Sequence, residues 1–286
     1  MKCPYPILVK TKFGTIRQVR CGQCTACRLN KASEWSLRIM NETLYHEDSC
    51  FLTLTYDDEH IPEYGSLRKK DLQKFLKRFR KRYEKSIRYY ASGEYGELTH
   101  RPHYHLILFG VSPLDEIFKN KRYDRKHDGW HCELDTWNKG LCFTADVTYD
   151  DAAYVAKYTM KKITGKKGKQ YYKERCIEPE FSLMSLKPGI GAQYMRDNKN
   201  KLRRRGFVIG KNGQKCPIPR YYWDRITGPF YREYEARQKA KDVDAKIVEK
   251  AKASGKDYFR YKEELLESAR NKVKSFMEMK GKKNEV

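Results

Sequence analysis

The chain contains no run of about 18 apolar residues, which excludes a membrane-spanning helix. Its first residues, Met1-Lys2-Cys3-Pro4-Tyr5-Pro6, lack the apolar core of a secretory signal, so a cytosolic protein is expected. Internal repeats are absent. Acidic residues are in short supply, 37 Asp+Glu against 61 Lys+Arg, and the formal charge of +24 is spread over most of the sequence. A surface that positive attracts polyanions, nucleic acid first among them. The cysteines number nine, an odd count, and in a reducing compartment they stay thiols, so disulfides are not expected.

Interleaved with the basic residues are 22 Tyr and 12 Phe, which suits a surface where bases stack on rings and phosphates pair with cations. A length of 286 residues allows one well-cored domain with material left over. Four segments are expected. Residues 1–47 carry a cysteine-rich element and a helix from about Lys31 to Tyr45. Residues 48–165 hold strands at 51–56, 87–92, 103–109 and 141–149, an amphipathic helix from Ser66 to Glu84, and a helix from 150 to about Ile163. In this region strands alternate with helices, which predicts an α+β domain, an antiparallel sheet with helices packed on it. Residues 166–230 are basic and aromatic without clear periodicity and read as a DNA-contacting extension. The tail, 231–286, reads as one or two charged helices with few apolar anchors.

In Arg101-Pro102-His103-Tyr104-His105-Leu106-Ile107-Leu108-Phe109, the period of two puts both imidazoles on one face of a strand. Two neutral imidazoles are half of a divalent-metal site. The facing segment, Ser92-Gly93-Glu94-Tyr95-Gly96, offers Glu94 as a third ligand, with Glu97 as the alternative because the register of the turn is not readable. Two histidines and a carboxylate leave positions open for water and a phosphate oxygen, so the ion acts as a Lewis acid. Mg²⁺ or Mn²⁺ suits an oxygen-rich substrate, although ligand type admits other ions.

Residues 150–163, DDAAYVAKYTMKKI, place Tyr154 and Tyr158 one helical turn apart, with hydroxyls about 6 Å from each other. On a helical wheel Ala152, Val155, Ala156, Thr159 and Ile163 form an apolar stripe. Tyr154, Lys157, Tyr158 and Lys161 form a second stripe on the opposite side. Tyrosines sharing a face with lysines suit a phosphate-lined cleft. Cations and a metal-bound phosphate lower the cost of forming phenolate, and attack on phosphorus by that oxygen conserves the energy of the ester. Lys157 is the first candidate to stabilise charge on the transferring phosphate, with Lys161 and Lys162 next.

Cys21-Gly-Gln-Cys24-Thr-Ala-Cys27, together with Cys3, offers four thiols for a structural Zn²⁺. Iron–sulfur ligation and plain reduced thiols remain open alternatives.

With FLTLTYDD, RPHYHLILFG and the YVAKY helix in that order, the sequence resembles the HUH endonuclease superfamily in its two-tyrosine class of rolling-circle initiators. Within that class it resembles microvirus replication proteins of the gokushovirus type, which also carry a CGxCxxC element and a PGIG segment like Pro188-Gly-Ile-Gly191. The likeness spans roughly residues 20–195. It implies a five-stranded antiparallel sheet with flanking helices, and nicking and rejoining of viral origin DNA, single-stranded or as supercoiled duplex, through a 5′-phosphotyrosyl link. It also implies a 3′-hydroxyl that primes a host DNA polymerase, in the cytoplasm of a bacterial host. No Walker-type nucleotide loop occurs, so a helicase must come from the host. Two other readings remain: a non-catalytic nucleic-acid-binding protein with a zinc element, and a relaxase or transposase of the same superfamily.

Overall fold

The computed structural model describes residues 1–10, 14, 16–84, 86–157, 162–163 and 165–283. The chain forms two compact units, Met1–Lys31 with Ile218–Val286 and Ala32–Pro217. In the first unit, β1 (Ile7–Lys10) and β2 (Ile16–Val19) pair antiparallel, Ile7 opposite Val19. Helix α1 (Thr25–Thr43) starts in this unit, and its later turns belong to the second.

The second unit is built on a seven-stranded antiparallel sheet. Its elements in chain order are β3 (Ser49–Tyr56), α2 (Lys69–Tyr83), β4 (Arg88–Tyr95), β5 (Pro102–Phe109), β6 (Lys119–Asp124), β7 (Gly129–Glu133), β8 (Gly140–Asp146), α3 (Tyr149–Lys157), α4 (Gly165–Glu174) and β9 (Phe181–Met184). Two short helices and a small hairpin follow: α5 (Ala192–Asp197), α6 (Lys199–Arg205), β10 (Phe207–Ile209) and β11 (Lys215–Pro217). The strand order is β6-β7-β8-β3-β5-β4-β9, with β3 and β5 at the centre. Alternation along these two strands sorts their side chains onto two faces. Cys50, Leu52, Leu54 and Tyr56 of β3, with Tyr104, Leu106 and Leu108 of β5, pack against Leu72, Phe75, Leu76 and Phe79 of α2. That is the apolar stripe expected for the 66–84 helix. On the other face Phe51, Ile107 and Phe109 pack with Ile39 of α1 and with Ala152 and Val155 of α3.

Phe79 is fully buried, its ring 5.5 Å from that of Phe75 and 6.3 Å from that of Phe118. Phe79→Ala is expected to cost about 3–5 kcal/mol through lost burial and the cavity left behind. Urea unfolding followed by circular dichroism measures it; a loss below about 1 kcal/mol would mean that α2 does not carry the sheet's core.

Several boundaries differ from those expected. The sheet has seven strands and not five, because β6, β7 and β9 join it. The first, Lys-Asn-Lys-Arg-Tyr-Asp, is polar and largely exposed, so no hydrophobic alternation marks it. Strand β4 continues through Glu94 to Tyr95, shortening the expected turn. The cap of α3 is Thr148 and neither Asp150 nor Asp151. The Asp151 N–H donates to Thr148 Oγ1 at 3.1 Å and the Thr148 N–H donates to Asp151 Oδ2 at 2.8 Å, a reciprocal capping box. Lys162 and Ile163, expected to close that helix, are not helical and precede Gly165, whose φ of +80° breaks a right-handed helix. Residues 199–205, without periodicity in sequence, are helical as α6.

The tail forms α7 (Arg220–Ala253), interrupted at Gly228 with φ +73°, and α8 (Tyr258–Lys283). Ile247, Ala251 and Ala269 are among its few buried apolar residues. Among the described residues no helix is long and apolar enough to cross a membrane.

Candidate functional site

His103 and His105 occupy odd positions on β5, so the pleat turns both toward the sheet face that carries Ile107 and Phe109. In the β4–β5 ladder Glu94 lies opposite His103 and Ser92 opposite His105. Glu94 Oε1 is 2.7 Å from His103 Nε2 and 3.0 Å from His105 Nε2. The three ligand atoms lie within 4.8 Å of one another. Glu97, the alternative carboxylate, is exposed in the turn beyond β4 and outside this cluster. Continuation of β4 past Gly93 is what brings Glu94 across from the imidazoles.

The second nitrogen of each ring is held from behind. His103 Nδ1 is 3.0 Å from the Arg101 carbonyl oxygen, and His105 Nδ1 is 3.0 Å from Thr53 Oγ1. A carbonyl oxygen only accepts, so His103 Nδ1 carries the proton and Nε2 of the neutral ring presents a lone pair. That lone pair points at a carboxylate oxygen 2.7 Å away. Two acceptors approach this closely only with a cation on or between them, either a second ring proton or a metal ion. The donor set therefore fits a divalent ion: one carboxylate and two imidazoles, two of them buried, with tautomers set by partners behind them. Burial pushes the Glu94 carboxyl up, but the hydrogen bonds from His103 and His105 outweigh it and hold the group below the usual carboxylate range.

Across from this cluster stands α3. Ala152, Val155 and Ala156 are buried, as the wheel requires, while Tyr154 is 43% exposed and Lys157 is exposed. The Tyr154 ring meets that of His105 edge-on at 5.1 Å, and Phe51 stacks on the other side of His105 at 5.6 Å. One tyrosine of the pair thus lies beside one imidazole. Tyr158 and Lys161 lie outside the described residues. Lys162 is described and exposed.

Tyr154, His105, Phe51 and Thr53 line a cleft of about 550 Å³, closed on its far side by His127 and His131 of the β6–β7 hairpin. Sequence reasoning missed these last four. Thr53 and Phe51 enter through the β3–β5 register, Thr53 opposite His105. His127 and His131 both reach Asp124, at 2.7 and 3.2 Å, and the only signal for them was the spacing in His127-Asp-Gly-Trp-His131. On the opposite flank, Tyr64, Tyr95, Tyr171 and Arg175 line a second cleft, which also includes Gly96. The Arg175 guanidinium sits 4.1 Å over the Tyr171 ring.

The sequence pattern of the replication-associated protein ORF2 family matches residues 49–163, which contain β3 through α3. Replication-associated protein ORF2 of Spiroplasma virus 4 is 31% identical over 262 residues, covering 85% of this chain and 79% of that protein. Replication-associated protein VP4 of Bdellovibrio phage phiMH2K is 32% identical over 251 residues, covering 83% of this chain and 78% of that protein. Replication-associated protein ORF4 of Chlamydia phage 1 is 28% identical over 217 residues, 72% of this chain and 53% of that protein. No solved structure matches the chain.

Proposed function

The chain belongs to the replication-associated protein ORF2 family, and from that premise we propose that it starts rolling-circle replication of a circular single-stranded phage genome by nicking and rejoining origin DNA with a tyrosine nucleophile. The observation that carries this reading is the convergence of Glu94, His103 and His105 on one point, with the Tyr154 ring 5.1 Å from His105. A structural ion is ordinarily enclosed by four protein ligands, whereas three leave the ion open to substrate.

Glu94, His103 and His105 would hold Mg²⁺ or Mn²⁺, which supplies charge neutralisation at a phosphate oxygen. Tyr154 or Tyr158 attacks the scissile phosphorus. The tyrosyl O–P bond forms as the P–O3′ bond breaks, and the phenolic proton is lost to solvent while the 3′ oxygen gains one. No water is consumed, so the 5′-phosphotyrosyl ester stays competent for resealing. Lys157 and Lys161 stabilise charge on the transferring phosphate. The second tyrosine performs the second transfer while the first is still joined to DNA. The 3′-hydroxyl primes a host DNA polymerase behind a host helicase. The net charge of +24 and the aromatic cleft containing Tyr64, Tyr95 and Tyr171 support a track for single-stranded DNA.

Incubating the protein with end-labelled single-stranded origin DNA and Mn²⁺, then denaturing, tests this directly. A label that stays on the protein through denaturation is expected; free cleaved DNA with no adduct would indicate hydrolysis, and intact DNA a binding protein only.

Thr53 gives a narrower test. Its hydroxyl holds His105 Nδ1 at 3.0 Å. Thr53→Val keeps the shape and removes the hydrogen bond, so the Mn²⁺ concentration that half-saturates cleavage is expected to rise about 10–100-fold with little change in DNA binding. An unchanged Mn²⁺ requirement would show that His105 needs no support from β3.

A further inference from the structure

A second group of convergent metal-binding side chains occurs among the described residues, in the first compact unit and apart from the proposed nicking chemistry: Cys3, Cys21, Cys24 and Cys27. Their sulfurs lie within 4.8 Å of one another. Cys3 to Cys21 is 3.6 Å, Cys24 to Cys3 is 3.8 Å and Cys21 to Cys27 is 4.0 Å. A disulfide needs about 2.0 Å, so none of these pairs is bonded. A Zn–S bond of about 2.3 Å gives a tetrahedron with edges of about 3.8 Å, and the three distances bracket that value. A four-iron cluster would hold its thiolates much farther apart, because the iron–sulfide cube stands between them.

The backbone around the group is arranged to receive charge on sulfur. The Cys21 N–H donates to Cys3 Sγ at 3.4 Å, and the Cys24 N–H donates to Cys21 Sγ at 3.3 Å. Cys3 and Cys27 are buried and the other two are half-buried, a closed set with no position left for substrate.

The surroundings explain why a metal is needed there. Cys3 precedes β1 and Cys21 follows β2, so the group sits at the open end of the hairpin, next to the Ile7–Val19 pair. The hairpin has no apolar core of its own: Leu8 and Ile16 are each 71% exposed. A two-stranded ribbon is marginal in water by itself, and small elements that cannot bury apolar surface rely on a staple. We propose that Cys3, Cys21, Cys24 and Cys27 bind one structural Zn²⁺ that fastens the β1–β2 ribbon to the first turn of α1. This holds whether or not the protein nicks DNA.

Zinc content of the purified full-length chain, measured by elemental mass spectrometry, is expected near one ion per chain. Cys21→Ser/Cys24→Ser should carry none, and Cys176→Ser, at an exposed thiol remote in sequence, should keep it. Replacing zinc with Co²⁺ in the unaltered protein gives a reading that does not depend on the variants folding. Thiolate-to-cobalt charge-transfer bands and the visible bands of a tetrahedral site are expected, and imidazole and carboxylate ligands cannot produce the former. Stoichiometric iron in place of zinc, cobalt without thiolate bands, or zinc retained by Cys21→Ser/Cys24→Ser would each overturn the assignment.

Discussion

Replacing Tyr154 and Tyr158 together by phenylalanine is expected to eliminate the covalent protein–DNA adduct and to slow origin cleavage by on the order of 10³-fold or more, since nothing else in the proposed mechanism bonds to phosphorus. The substitution deletes an oxygen and keeps the ring. At Tyr154 the edge contact to His105 and the neighbouring Phe51 survive, so stability is expected to change by about 0.5 kcal/mol or less. The paired single variants separate the two transfers. One should still form an adduct on the first nick yet fail to release closed circles, because the second transfer lacks its nucleophile. Adduct formation by the double variant at the unaltered rate would remove tyrosine from the mechanism altogether.

Much of this site is legible in the sequence, because each half depends on a local period. Two histidines separated by one residue share a strand face whatever the sheet order, and Ala152, Val155 and Ala156 mark the buried side of a helix that leaves Tyr154 exposed. Glu94 depends instead on cross-strand register. That register is set by where β4 stops, and β4 runs past Gly93 to Tyr95 in a stretch whose glycines and charges resemble a turn. Thr53 and Phe51 require the additional knowledge that β3 is the neighbour of β5, a long-range pairing that no local pattern encodes. The same reasoning covers the sheet's width. Strands β3, β5 and β8 carry apolar or β-branched alternation, while β6 presents polar residues on an edge and is held by its partner β7. Closure of the Tyr154 cleft by His127 and His131 follows from that edge hairpin and was beyond reach for the same reason. The cysteine group was readable as a CxxCxxC run, but the place of Cys3 in it follows from β1 and β2 bringing positions 3 and 21 together.

His103→Ala with His105→Ala is expected to lower Mn²⁺-dependent cleavage by on the order of 10³-fold while leaving DNA affinity within a few-fold of the unaltered protein. Binding is expected to persist because it rests on a basic surface formed by residues other than these two, and it should weaken with salt along the same slope in both proteins. The difficulty lies in Glu94, which is 2% exposed. With both histidines present, their hydrogen bonds outweigh burial and keep its carboxyl ionised. With both gone, burial acts without those bonds, and a charge left in place would cost about 3–5 kcal/mol, so the carboxyl is driven toward its protonated form and the fold is weakened. Adding Glu94→Gln to the double variant removes that charge and should restore part of the lost thermal stability without restoring cleavage. A triple variant that regains its melting temperature and still binds DNA, yet cannot cut it, separates a failed metal site from a failed fold. Recovery of cleavage along with stability in that protein would show that the imidazoles serve the sheet and not the phosphate.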